Sequence, residues 1–102
     1  MEIYISNDGK HKYYVIYQGK KISFGAKNYM DYTLYYKKYG KEIADKKKAA
    51  YIARHSKSGE NWEKSGMFSK GFYSRWILWN KPTVEESFND IKNVFFNRRS
   101  NI

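Results

Sequence analysis

The sequence predicts an α+β fold: a small antiparallel sheet of three strands from the first 26 residues, its inner face covered by helices near 41–57, 69–79 and 84–96. Three observations carry the prediction. Apolar and polar residues alternate through the N-terminal quarter, broken by two turn signals. An alanine- and lysine-rich run at 41–57 favours helix and stops at Ser58-Gly59. Pro82 then divides two stretches whose large apolar residues recur at helical spacing. With 102 residues in all, the chain is expected to form one domain, 1–102, with a single core.

The first strand is EIYIS at 2–6, where Ile3 and Ile5 alternate with polar neighbours before the turn Asn7-Asp8-Gly9. From Lys12 the run KYYVIYQGKKISFGA reads as a hairpin turning at Gln18-Gly19. A two-residue turn pairs Tyr17 with Lys20, Val15 with Ile22 and Tyr13 with Phe24. Tyr13, Val15, Ile22 and Phe24 then share the core face, while Tyr14, Ile16, Lys21 and Ser23 take the other. That second face mixes rings with lysine, which suits either base stacking or plain cross-strand packing, the commoner use of tyrosine on a small sheet. Residues 25–40 hold five tyrosines without a clear period and are expected to be a loop or an irregular turn of helix.

In the helix at 41–57, Ala49, Ile52 and Ala53 form one narrow apolar side, extended towards Tyr51, and Lys47, Arg54 and Lys57 form a basic stripe facing outward. Residues 58–68 read as a loop in which Trp62 plugs the core. The stretch 74–87, SRWILWNKPTVEES, is the expected hub. Phe72, Trp76 and Trp79 fall at i, i+4 and i+7 and should dominate the core. Thr83 caps the next helix with Glu86 completing a capping box, and Val84, Phe88, Ile91 and Phe95 form its apolar stripe.

Hydrophobic residues make up 41% and aromatics 20% of the chain, so a packed core is available. The net charge of +10 points to a polyanionic partner, with nucleic acid first, because lysine and arginine that neutralise phosphates release counterions. DNA and RNA are not distinguished by this argument. The charge is densest at 41–57, where Lys41, Lys46, Lys47, Lys48, Arg54 and Lys57 face only Glu42 and Asp45. The candidate nucleic-acid-binding set is therefore Lys46, Lys47, Lys48, Arg54, His55 and Lys57 on this helix, helped by Lys20 and Lys21 on the hairpin and Arg98 and Arg99 in the basic tail. The competing reading is a solvated helix face that meets no phosphate. No stretch approaches the ~18 apolar residues of a membrane span, and MEIYISND lacks the features of a signal peptide, so a protein that is not secreted and engages no membrane is expected.

The chain carries no recognisable catalytic signature and is expected not to be an enzyme. Cysteine is absent, which excludes disulfides, thiolate chemistry and cysteine zinc sites. His11 and His55 lack ligand-like spacing to carboxylates, so neither a metal nor a cofactor is expected. Asp31, Arg54 and His55 are the one set from which a nuclease-like acid/base cluster is conceivable, and nothing in their spacing forces it.

Three blocks carry a resemblance: KKISFGAKNYMDYT at 20–33, YIARHSKSGENW at 51–62 and SKGFYSRWILWNKPTVEESFNDIK at 69–92. Together they resemble a family of short, basic, uncharacterised proteins of large DNA viruses of algae and amoebae and of their satellite viruses. The resemblance implies a viral setting, in the virion or the host cytoplasm at the viral factory, and a protein that travels in the particle or coats the genome. The alternative partner is an acidic virion protein, or a second copy in a homodimer through exposed tyrosines. The chain departs from the pattern between Leu34 and Ala50. Its recurring residues, Asp31, Arg54, His55, Arg75 and Trp79 among them, equally suit a fold signature in which Asp31 pairs with Arg54 or Arg75.

Overall fold

The computed structural model describes residues 1–96. Strands β1 (Glu2–Ile5), β2 (His11–Tyr17) and β3 (Lys20–Ala26) form an antiparallel sheet in the order β1-β2-β3. Tyr17 opposes Lys20, Val15 opposes Ile22 and Tyr13 opposes Phe24, which is the register the turn dictates. Gln18 and Gly19 take positive φ values of 50° and 78°, the mirror-image turn whose twist matches its strands. Val15, Ile22 and Phe24 are buried and Tyr13 is half-buried beside Phe24. On the outer face Tyr14 stacks on Tyr4 with centroids 5.2 Å apart, and Lys21 Nζ lies 4.4 Å from the Tyr14 ring centre. The rings of this face are cross-strand partners of one another.

Residues 25–40 correct the expectation of a loop or an irregular turn of helix, because α1 (Tyr32–Tyr39) is a regular helix of two turns. Asp31 caps it in extended conformation, its Oδ1 accepting from the Leu34 N–H at 3.1 Å. The helical period was carried on two adjacent rows at once: Tyr32 meets Tyr36 at 5.8 Å and Tyr35 meets Tyr39 at 6.1 Å. Gly40 alone joins α1 to α2 (Lys41–Ser56), donating its N–H to the Tyr36 carbonyl and accepting from Ala44 N. The two helices pack as a hairpin.

The hub also departs from its expected geometry. Ser69 caps α3 (Lys70–Tyr73), which runs into a wider π turn at Ser74–Leu78, closed by a 3.1 Å bond from Trp79 N to the Ser74 carbonyl. The period there lengthens from i+4 to i+5, which sets Ile77 behind Phe72 and Leu78 behind Tyr73. These four are buried, whereas Trp76 and Trp79 are only half-buried along the flanks. The tryptophans therefore frame the core and do not fill it.

After Pro82, α4 (Val84–Ile91) begins where expected, with Glu86 N bonded to Thr83 Oγ1 at 3.1 Å. The Glu86 carboxylate accepts from the Thr83 hydroxyl at 2.9 Å, so the box closes side chain to side chain. A second π turn, Lys92–Phe96, follows. Ile91 is buried in the core, and Val84, Phe88 and Phe95 pack against that core, Phe95 edge-on to Phe72 at 5.1 Å. The main core thus joins the inner face of the sheet to α3, its π turn and α4, with Met67 beneath Tyr73, whose hydroxyl donates to the Met67 carbonyl at 2.6 Å. None of its buried residues comes from α1 or α2.

Candidate functional site

The α1–α2 hairpin is therefore held to the body by other means, and the residues that hold it are those the sequence marked out. The side of α2 that docks is Ala44, Lys48, Tyr51 and His55, spaced i, i+4, i+7 and i+11, and not the expected Ala49, Ile52 and Ala53. Tyr51 stacks nearly parallel on Trp79, centroids 4.5 Å apart at 10°, and on His55 at 4.3 Å. Lys48 Nζ donates to the Asn80 carbonyl at 2.8 Å. Burial lowers the Lys48 pKa, and the nearby Arg75 charge adds to that. His55 Nδ1 meets Glu60 Oε2 at 2.7 Å, which puts the proton on Nδ1 because a carboxylate only accepts. Two members of the expected binding set, Lys48 and His55, thus have partners inside the protein. Polar anchors on the docking face hid that face from a count of apolar residues.

The third anchor is Asp31, only 2% exposed. Its Oδ2 accepts from Lys12 Nζ at 2.6 Å and its Oδ1 from the Thr33 hydroxyl at 2.6 Å as well as from Leu34 N. Lys12 also donates to the Tyr29 carbonyl. The partner of Asp31 is Lys12, neither Arg54 nor Arg75. Although Asp31, Arg54 and His55 do line one cavity, both carboxylate oxygens of Asp31 are committed to the fold. Arg75 lies elsewhere, over the Trp76 ring at 4.2 Å and the Trp62 ring at 5.5 Å, with Nη1 donating to the Trp79 carbonyl at 2.8 Å. Burial holds its pKa below the usual arginine value. Trp62 seals this seam rather than the main core: it lies 6.2 Å from Tyr51 at 11° and donates Nε1 to Glu60 Oε1 at 2.9 Å.

Between the hairpin and the body runs an open cavity of about 660 Å³. Its two carboxylates are both engaged, Asp31 with Lys12 and Glu60 with His55 and Trp62. Lys47 and Arg54 from α2 and Lys70 from α3 stand on its wall, exposed, with no carboxylate within ion-pair distance among the described residues. Lys70 was missed by the sequence reading, since it lies in a segment of low net charge and only the tertiary fold brings it beside α2. At 3.6 residues per turn, Lys46, Lys47 and Arg54, with Lys57 at the C-cap of α2 still in helical conformation, fall within an arc of about 100° with Ala50 in its midst. All four are exposed and outside the ion pairs of the described residues.

Lys20 and Lys21 sit at the hairpin tip, some 16–20 Å along β3 from Ala26, which lines the cavity. They are not gathered with the helix. Arg98 and Arg99 lie outside the described residues.

Residues 1–34 match the model of a family of unknown function, DUF5754. The match spans the sheet and the Asp31 cap and ends before the basic helix. No curated protein and no solved structure matches the chain. Among the described residues no three of His, Asp and Glu come together as a metal-ligand set, and no helix is long and apolar enough to cross a membrane. What the arrangement offers chemically is unpaired positive charge on a fixed helix face, next to an aromatic-walled cavity.

Proposed function

We propose that the protein binds nucleic acid without sequence specificity, through phosphate contacts from Lys46, Lys47, Arg54 and Lys57 on one face of α2. The observation that carries this reading is that these four exposed cations share an arc of one helix and have no carboxylate partner among the described residues. Lys46 to Lys57 spans about 17 Å of helix axis, enough to follow several phosphates of one strand. Lys48 and His55 serve the reading indirectly, by fixing the helix against the body. The resemblance to short basic viral proteins supports a setting in the particle or on the genome.

The test is a salt titration of binding to duplex DNA. Neutralising four phosphates gives a slope of log affinity against log salt of about −3.6. Replacing Lys46, Lys47, Arg54 and Lys57 with Ala should bring that slope close to zero with the circular-dichroism spectrum unchanged. Affinity indifferent to salt, or a folded quadruple variant that binds as the parent does, refutes the proposal. In that event a pull-down after nuclease treatment, in which acidic protein partners persist, identifies the face as a protein interface.

A further inference from the structure

We infer that the cavity between the α1–α2 hairpin and the body receives one unstacked nucleotide of the bound strand, making the protein prefer single-stranded to duplex nucleic acid. This rests on the nucleic-acid reading of α2 and goes further, because phosphate contacts alone do not discriminate in that direction.

Three features of the cavity carry the inference. Its volume of about 660 Å³ lies within the range of small-molecule sites and exceeds what one base with its sugar requires. Its charge is complementary: Lys47 and Arg54 belong to the proposed phosphate-binding face and to the cavity wall at once, and Lys70 adds a cation from across it. A strand laid along α2 therefore passes the opening, and its charge is met on both sides. Lastly, Tyr29 stands at the cavity 73% exposed, and its ring stacks on no other ring of the described residues. An exposed tyrosine whose backbone carbonyl is fixed by Lys12 is a ready face for a base. Bases paired in a duplex present no such face, so only an unpaired one enters.

The experiment measures fluorescence-anisotropy binding of the full chain to labelled oligothymidylate and to a duplex of equal length, at one fixed salt concentration. Ala26 is exposed at the end of β3 and lines the cavity outside the α2 face, so Ala26→Trp fills the space without altering a charge or entering the phosphate-binding arc. Tyr29→Ala removes the stacking ring at a site with little packing to lose. Thermal melts check that both variants fold. The parent should bind the single strand about fivefold or more tightly than the duplex, in line with one base–ring stack. Both variants should lose that preference while their duplex affinity stays at the parent value. If the parent shows no preference, or if the folded variants keep it, the cavity takes no nucleotide and the α2 reading stands alone. If the parent binds neither form, the α2 reading fails and takes this inference with it.

Discussion

Asp31 shows how far one side chain can tie a small fold together. Its carboxylate caps α1, accepts from Thr33 and neutralises Lys12, whose side chain is 11% exposed. Replacement by Ala removes a helix cap, a loss of about 1 kcal/mol, and leaves a nearly buried ammonium without its counter-charge, so a total loss of about 3–5 kcal/mol is expected. Asn keeps the capping oxygen but turns an NH2 donor towards the Lys12 ammonium in place of the accepting Oδ2, so it loses the ion pair and its hydrogen bond while sparing the cap, and Asp31→Asn should fall between the parent and Asp31→Ala. Urea melts of the three proteins check the order. A catalytic role for Asp31 predicts the opposite pattern, with both variants near parent stability. The residue stood out in the sequence as part of a recurring block, but its partner was not readable there. Lys12 lies on a strand nineteen positions away, and only the sheet register brings it back.

At the scale of elements, the register of the β2–β3 hairpin was legible to the residue because a period of two and a two-residue turn leave one pairing that buries Val15, Ile22 and Phe24 together. The helices were less so, for two physical reasons. A π turn changes the period without a sequence signal, so the hub was read with Trp76 and Trp79 in the core where Ile77 and Leu78 belong. A helix that docks through Lys48 and His55 shows no apolar stripe on the docking side. These differences separate two substitutions that looked alike. Ile77→Ala opens a cavity in the main core and should cost about 2–5 kcal/mol of global stability. Trp79→Ala removes a half-buried ring that holds Tyr51 and should cost about 2 kcal/mol, less than for a fully buried ring. Its effect should also be local. Hydrogen exchange is expected to quicken across α1 and α2 while the amides of β2 and β3 remain protected, whereas uniform loss of protection in Trp79→Ala would place that residue in the main core after all.

The whole molecule is thus a sheet-and-helix body carrying a basic hairpin, and its tyrosines report on both parts. Tyr73 is buried in the body, and Tyr32 and Tyr51 are buried in the hairpin and its seam. Burial raises the pKa of all three, that of Tyr32 to about 12 with help from its 2.7 Å bond to Asp45, and those of Tyr51 and Tyr73 further. A folded pKa above the unfolded value means the protonated phenol is favoured by folding. Its contribution is complete below the ordinary tyrosine value of 10.0 and is lost as pH rises through the folded values. The expected result of alkaline titration, followed by tyrosinate absorbance, is therefore that these three rings ionise only above pH 10, Tyr32 first, in step with loss of helical signal from the hairpin. Replacing Tyr32 with Phe deletes the lowest of the three raised values along with its bond to Asp45, and should move the start of that helical loss to higher pH. If the helical signal instead falls already at or below pH 10, the hairpin is not held by buried phenols and the seam is looser than its stacked rings imply.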